Sequence, residues 1–183
     1  MKPKATKTQS AKPSPTAVQA FKTTATHYRM EHIPWSAGRD YRILNGQGEL
    51  VCFVDGKLFA PPRRLTLRNE QGKEVAQLRE QVLAIHGTFE VWRGGTLAAT
   101  TRQSLIKLVR SKHTVTLPDQ SDRLVSHFWN ELGKFLCATG ELRAGYARVQ
   151  ASVEKYDLYV LPSLDQELYL AILVAVIQGP SEE

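Results

Sequence analysis

The residues that most often carry catalysis or bind metals lie far apart in this chain. The five histidines are never spaced as His-x-His or His-x-x-x-His, and neither cysteine belongs to a Cys-x-x-Cys motif. A zinc site needs three or four such ligands, usually at short spacing. The sequence therefore predicts no metal and no cofactor. Cys52 and Cys137 are interpreted as buried thiols in a reducing compartment.

Nucleophilic catalysis and phosphate binding also lack their usual motifs. The chain has no Gly-x-Ser-x-Gly segment, the turn that exposes the nucleophile of many serine hydrolases. Asn45-Gly46-Gln47-Gly48 lies between two predicted strands, which is typical of a hairpin, whereas a phosphate loop leads into a helix. No catalytic residue is predicted, and an enzyme of an unrecognised type is kept only as a second alternative.

One group of basic residues could bind an anionic ligand. Lys57, Arg63 and Arg64 flank the segment Leu58–Pro62, which includes Phe59. A loop that combines basic, aromatic and proline residues could meet an anionic headgroup, with Phe59 at the membrane interface. The alternative is a solvated loop whose Phe59 folds back onto the domain. These three basic residues are the predicted ligand-binding site.

The net charge of +6 is confined to the N-terminal region. Residues 1–30 contain six basic residues and no acidic residue, whereas the remaining chain holds 18 of each kind. A domain that binds nucleic acid usually carries a basic surface of its own. The balanced charge of the remaining chain therefore argues against a nucleic-acid partner.

Composition divides the chain into three parts. Residues 1–26 are rich in lysine, threonine, serine and proline and poor in apolar residues, so a disordered basic tail is predicted there. A transit peptide and a polybasic arm for an anionic surface are the alternatives. Residues 27–179 are predicted to form one folded domain, and residues 180–183 a short C-terminal tail.

Most of the predicted domain has the pattern of short strands joined by turns. In Arg64–Arg68, for example, two leucines alternate with polar residues and share one face. Turn dipeptides that tolerate positive φ separate the strands, and they are Asn45-Gly46, Asp55-Gly56, Gly94-Gly95 and Thr139-Gly140. This pattern predicts an all-β meander.

A single apolar helix is predicted at the end of the chain, over Leu164–Gln178. Ser163 is the expected N-cap and Gln166 completes a capping box, while Gly179 is expected in the left-handed conformation after the helix. A transmembrane helix needs about 20 apolar residues, and this run is much shorter. A buried core helix is therefore predicted, with a tail anchor as the alternative.

A helix without a polar face must be surrounded, and strands that wrap around it predict a closed β-barrel. Alanines recur at one position of three similar hairpins, namely Ala76, Ala99 and Ala147. Small inward residues would let strands approach an enclosed helix closely. Closure would also remove the exposed edges of the meander.

The chain resembles the LURP-one-related family of the Tubby C-terminal-like superfamily, which also includes phospholipid scramblases. The residues that carry the resemblance are Tyr41–Leu50, the Phe53–Lys57 turn, the repeated hairpins, and Leu164–Ile177 preceded by Tyr156–Pro162. It covers residues 28–178 and implies a twelve-stranded closed barrel around a buried C-terminal helix.

The resemblance implies several functions. Tubby proteins bind phosphoinositides through basic residues, and scramblases are associated with calcium through an acidic segment beside the terminal helix. Here that segment has only Asp157 and Asp165, and calcium needs six to eight oxygen ligands, which argues against a calcium site.

The predicted function is therefore a non-catalytic binding or scaffold module that associates with anionic, phosphoinositide-like lipid surfaces. A scramblase-like membrane-associated protein is the alternative. The expected partners are anionic membrane lipid or another protein. The protein is expected to be a monomer located in the cytoplasm, with peripheral contact to a membrane.

Overall fold

The computed structural model describes most of the predicted domain and part of the N-terminal tail. The described residues are 14–36, 38, 40–57, 62–81, 87–105, 111–118, 120–127, 132–137, 140–150 and 154–179. The two helices are α1 (Pro15–Thr24) and α2 (Gln166–Ile177). The strands are β1 (Thr26–His32), β2 (Tyr41–Asn45), β3 (Leu50–Lys57), β4 (Arg64–Asn69), β5 (Glu74–Glu80), β6 (Thr88–Arg93), β7 (Thr96–Leu105), β8 (Ser111–Leu117), β9 (Gln120–His127), β10 (Leu132–Leu136), β11 (Leu142–Gln150) and β12 (Lys155–Val160).

The strands form one antiparallel sheet in which nearly every strand pairs with its neighbours along the chain. The order across the sheet is β10-β11-β12-β1-β2-β3-β4-β5-β6-β7-β8-β9. The exception to chain order is the pairing of β1 with β12, which joins the two ends of the domain. The all-β class predicted from alternation and turn residues is confirmed.

The prediction of a closed barrel is wrong. The sheet order begins at β10 and ends at β9, and the described residues contain no hydrogen-bonded ladder between these two strands. β10 is short, and its pairing with β11 shifts register between Phe135 and Leu136. β9 and β10 lie close to each other without such a ladder. Alternation reveals which residues face the core, but it does not reveal whether β9 and β10 pair.

The sheet curves around α2, which fills its concave side. The helix contacts β11 and β12 near one end of the strand order and β5, β6 and β7 towards the other. Tyr169–Val176 are all buried, as the uniformly apolar sequence predicts. Ala76 and Ala99 belong to the same buried cluster, so two of the three inward alanines are confirmed, whereas Ala147 is only partly buried. Among the described residues, no helix has the length and apolarity needed to cross a bilayer.

The helix boundaries differ from the sequence prediction. Asp165, not Ser163, is the N-cap, and its carboxylate accepts a hydrogen bond from the backbone N–H of Leu168 at 3.1 Å. Gln166 forms no capping box, because its amide donates to the carbonyls of Leu161 and Leu164 at 2.8 Å each. Gly179 follows the helix but does not have positive φ.

One predicted turn lies inside a strand. Asp55 and Gly56 belong to β3, where they pair with Thr66 and Leu65 of β4. The turn dipeptide did not predict this conformation, because pairing with β4 continues through Asp55 and Gly56 to Lys57 and keeps them extended. Gly94 and Gly95 do occupy a turn, with φ of 54° and 83°.

Helix α1 lies within the segment that the sequence analysis treated as a disordered tail. Ser14 caps it by accepting a hydrogen bond from the N–H of Ala17 at 3.2 Å. Phe21 is buried, with its ring 6.5 Å from the ring of Tyr159. A side chain at Gly145 would begin 3.7 Å from Phe21, an ordinary contact distance, so Phe21 packs over this part of β11. One aromatic residue thus docks a short helix onto the sheet.

Candidate functional site

The predicted site of Lys57, Arg63 and Arg64 is divided by the structure. Lys57 is the last residue of β3 and pairs in register with Arg64, the first residue of β4. The side chain of Lys57 and residues 58–61, including Phe59, lie outside the described part of the chain. Arg64 is exposed, whereas Arg63 precedes the strand and is bound to other groups of the protein.

Arg63 links the sheet to the end of the central helix. Its Nε donates to Glu80 Oε2 at 3.1 Å and its Nη2 to Glu80 Oε1 at 3.0 Å, which is a bidentate ion pair. Its Nη1 donates to the carbonyl oxygen of Gln178 at 3.2 Å, just beyond α2. Its guanidinium carbon lies 5.6 Å from the ring centroid of Phe89. These contacts engage all three nitrogens, so Arg63 is part of the structure and not of an open binding site.

The electrostatics agree with this structural role. The guanidinium of Arg63 beside Glu80 lowers the pKa of that carboxyl below its ordinary value, although burial acts in the opposite direction. The last carbonyls of a helix carry partial negative charge, and a cation there is favourable. Arg63 therefore stabilises the sheet and the C-terminal end of α2 together.

Arg79 of β5, and not Arg63, lies in register with Arg64 and Lys57. Arg64 pairs in register with Arg79 of β5, as it does with Lys57 of β3. Directly opposed residues in an antiparallel sheet have Cα atoms about 4.5–5.5 Å apart. We call Lys57, Arg64 and Arg79 the basic row, and it places three cationic residues side by side across three strands.

Arg64 and Arg79 of the basic row lack acidic partners in the described residues. Arg64 is exposed and has no described partner. Arg79 donates to the amide oxygen of Gln77, at 2.8 Å from Nη2, and its guanidinium lies 4.9 Å from the ring centroid of Trp92. Glu90 follows Arg79 in register, but it accepts hydrogen bonds from Trp92 Nε1 at 2.9 Å and from the side-chain amide of Gln81.

In the other half of the sheet, charged side chains form ion pairs with residues of opposite charge. Around β12, β1 and β2, Glu31 lies 2.7 Å from Lys155 and 2.9 Å from Arg42, and Arg29 lies 3.2 Å from Asp157. The two neighbouring cations lower the pKa of Glu31. Opposite charges therefore alternate in this half, whereas like charges are adjacent in the basic row.

The groups most suited to catalysis by type lie in the core. Burial raises the pKa of Cys52 to about 11 and lowers the pKa of His113 to about 4, so the thiol stays protonated and the imidazole stays neutral near pH 7. Cys137 is also buried, and both cysteines are free. In the part of the chain that the structure describes, no three His, Cys, Asp or Glu side chains are grouped as metal ligands would be.

The two aspartates near the helix belong to separate ion pairs. Asp157 lies beside Arg29 and 3.1 Å from Nε2 of His27 on the sheet. Asp165 is both the N-cap of α2 and an ion-pair partner of Arg93. Each carboxylate therefore already has a cationic neighbour, and the fold does not bring the two together in one cluster.

Sequence reasoning missed Arg79 and included Arg63. Alternation alone indicates that adjacent residues such as Arg63 and Arg64 point in different directions. The register between β4 and β5 is hard to predict from the sequence, because it shifts between Leu67 and Arg68. Counting outward from the turn would not have identified Arg79 as the partner of Arg64 with certainty.

The fold and this register define the class of protein: an all-β domain that wraps a sheet around an apolar C-terminal helix and aligns three basic residues across neighbouring strands. The family model for LURP-one-related proteins matches residues 26–177, and the chain belongs to that family. An X-ray structure of a protein from Arabidopsis thaliana is similar, with a TM-score of 0.58 and 18% identity over 85% of this chain and 93% of that chain. At this identity the similarity shows the fold alone. No curated protein matches the chain.

Proposed function

We propose that this protein is a non-catalytic binding module that associates with anionic lipid headgroups through the basic row. The observation that carries the proposal is the register of Lys57, Arg64 and Arg79, which places three cationic residues side by side. Of these, Arg64 and Arg79 have no described acidic partner. Membership of the LURP-one-related family favours a binding module and is compatible with this surface.

The energetics of the row support a function other than folding. Like charges directly opposite each other in a sheet are destabilising. The sequence avoids this cost in the other half of the sheet, where Glu31 separates Lys155 from Arg42. A row of like charges that destabilises the fold is expected where those charges bind an anionic ligand. Each basic residue near an anionic membrane contributes about 1 kcal/mol to binding.

The state of the buried titratable groups supports the non-catalytic part of the proposal. A nucleophilic cysteine needs a lowered pKa, whereas burial raises that of Cys52 to about 11. A histidine base needs a pKa near the working pH, whereas burial lowers that of His113 to about 4. Both residues are suited to packing in a core.

Sedimentation with vesicles tests the proposal directly. The full chain should bind vesicles of phosphatidylcholine and phosphatidylserine, and it should not bind phosphatidylcholine alone. Arg64→Glu should weaken binding by roughly tenfold or more, because the reversal replaces an attraction with a repulsion. Raising the salt concentration should reduce the difference between the variant and the parent protein.

Lys73→Glu is the matched control. Lys73 is exposed in the turn between β4 and β5, so this variant has the same charge change at the opposite end of the hairpin. Removal of residues 1–13 separates the tail from the domain and keeps α1. Equal binding by the Arg64→Glu and Lys73→Glu variants would exclude the basic row, and absence of binding by the parent chain would exclude the lipid function.

A further inference from the structure

Trp35 combines full exposure with an unfavourable backbone conformation. The side chain is 101% exposed, and the residue has φ of 76°. Among the described residues, all the others with positive φ are glycines. A bulky L-residue in this region is strained, and such strain is concentrated at functional sites. Neither packing nor backbone geometry therefore explains a tryptophan at this position.

Hydrogen bonds hold the described residues on both sides of Trp35. The N–H of Ile33 donates to the carbonyl of Asp40 at 2.9 Å, and Ser36 Oγ donates to the carbonyl of Gly38 at 2.7 Å. The carboxylate of Asp40 accepts from the N–H of Gly56 at 2.8 Å. A side chain at Gly38 would begin 2.1 Å from the carbonyl oxygen of Gly56, so this approach requires glycine. The loop is therefore fixed to the end of β3.

This attachment brings Trp35 to the same end of the sheet as the basic row. Gly56 immediately precedes Lys57, the first member of that row. The loop between β1 and β2, the end of β3 and the start of β4 all belong to this end, because neighbouring strands are antiparallel. The exposed indole of Trp35 and the basic row therefore share one end of the domain.

We propose that Trp35 is an interfacial anchor, which enters the headgroup region of an anionic bilayer while the basic row contacts the lipid phosphates. This inference rests on the proposed function and extends it to the way in which the domain docks. Tryptophan is enriched at membrane interfaces because its ring is apolar and its N–H is polar. An apolar contact combined with a basic patch gives firmer peripheral attachment than either one alone.

The surroundings of Trp35 favour a bilayer over a protein partner. The large hydrophobic side chains exposed in the described residues are Trp35, Leu50 and Val149. Leu50 begins β3, so it lies at the opposite end of that strand from Gly56. Val149 lies near the end of β11, at the same end of the sheet as Trp35 but with β12 and β1 between them. A protein interface usually surrounds its central anchor with further buried contacts, whereas a bilayer accepts a single projecting ring. The neighbouring cations complement an anionic lipid surface.

Trp35→Gly separates folding from membrane binding. Glycine accepts positive φ readily, so the variant should be at least as stable as the parent protein in urea unfolding. Its partitioning to vesicles of phosphatidylcholine and phosphatidylserine should fall about tenfold, and the loss should persist at high salt because it is apolar in origin. Leu50→Ala is the control, since it removes an exposed apolar side chain at the other end and should leave partitioning unchanged.

Fluorescence then reports the position of the ring. The chain has three tryptophans, and Trp92→Phe with Trp129→Phe leaves Trp35 as the single emitter. On binding vesicles, its emission should shift to shorter wavelength and be quenched by lipids brominated near the headgroup. Two results would overturn the anchor and leave the proposed function intact. One is vesicle binding by the variant with Trp35 as its single tryptophan without a change in emission. The other is equal partitioning of the Trp35→Gly variant and the parent protein. Absence of vesicle binding by the parent protein would overturn both.

Discussion

The two ends of α2 are both attached to the sheet by an arginine, but in different environments. At the N-terminal end, Arg93 bridges Asp165 and Glu167, whose side chains are 47% and 43% exposed. At the C-terminal end, Arg63 holds Glu80, which is 21% exposed, and also a carbonyl beyond the helix. The same residue type thus forms a solvated bridge at one end and a partly buried link at the other.

This difference indicates where the stability of the helix attachment lies. Exposed ion pairs contribute little because water and salt screen them. A partly buried pair costs more to break, since the remaining partner loses both its solvation and its counter-charge. The C-terminal end also contains His113, whose ring would lie 3.3 Å from a side chain added at Gly179. We therefore expect changes at this end to have the larger effects.

The largest effect should come from pH at the C-terminal end. Burial lowers the pKa of His113 from its ordinary value of 6.5 to about 4 in the folded protein. The unfolded chain therefore binds the proton first, and the contribution of neutral His113 is fully present above pH 6.5 and is lost as the pH falls towards 4. Between pH 7 and pH 4.5, the free energy of unfolding should fall by about 2–3 kcal/mol from this residue.

Urea unfolding at a series of pH values measures this loss. His113→Gln keeps a polar side chain without the titration, so its stability should vary much less between pH 7 and 4.5. Below pH 4.5, Glu80 also loses its contribution, because its pKa is lowered in the folded state by Arg63. Parallel pH profiles for the His113→Gln variant and the parent protein would contradict the prediction.

Arg63→Ala should have the next largest effect. It leaves Glu80 partly buried without its partner and removes the donor to the carbonyl of Gln178, which should cost about 2 kcal/mol. Arg64→Ala is the matched control, because Arg64 is exposed and has no described partner. Its stability should stay within about 0.5 kcal/mol of the parent protein. Equal destabilisation by these adjacent substitutions, measured by chemical unfolding, would show that Arg63 has no special structural role.

At the N-terminal end, Asp165→Ala should cost about 1 kcal/mol, the usual effect of losing an N-cap. Its carboxylate receives the N–H of Leu168 at 3.1 Å. Ser163→Ala is the control, because Ser163 was the N-cap predicted from the sequence and is exposed in the structure. Thermal melts should therefore lower Tm for the first variant only. A larger loss for the Ser163→Ala variant would restore the sequence prediction.

Arg93→Ala should have the smallest effect, at most about 1 kcal/mol, since its two carboxylate partners are exposed. The loss should shrink further in high salt, where such pairs are screened. The loss from Arg63→Ala should change less with salt, and this contrast tests the comparison of the two ends. A salt-insensitive loss at Arg93 larger than that at Arg63 would reverse it.

Local patterns predicted much of the fold. Alternation and turn residues identified an all-β domain, and uniform apolarity identified Leu168–Ile177 as part of a core helix. The sequence did not predict the open sheet, because closure depends on pairing between strands at opposite ends of the strand order. It also did not predict α1, whose composition indicated disorder, although Phe21 packs onto the sheet.

The candidate site was only partly predictable. The basic segment around Lys57 and Arg64 was found by composition, but Arg63 was grouped with them because the three are close in sequence. Arg79 was not singled out. The three tryptophans of the sequence were interpreted as packing residues of the barrel, which is wrong for Trp35 because it is fully exposed. Arg79 joins Arg64 only through the strand register, and the exposure of Trp35 at positive φ is a property of a folded loop.

The sequence by itself determined the kind of structure: strands with one buried face, an apolar helix that had to be enclosed, and an excess of charge in the N-terminal region. These properties follow from side-chain periodicity and composition, which are local. Only the tertiary structure decided which cations are neutralised and which form the basic row, and whether the sheet closes. The physical reason is that charge pairing depends on distances between residues far apart in the chain, and these are fixed only when strands pair. Closure depends on whether β9 and β10 pair, and their being consecutive in the chain does not decide that.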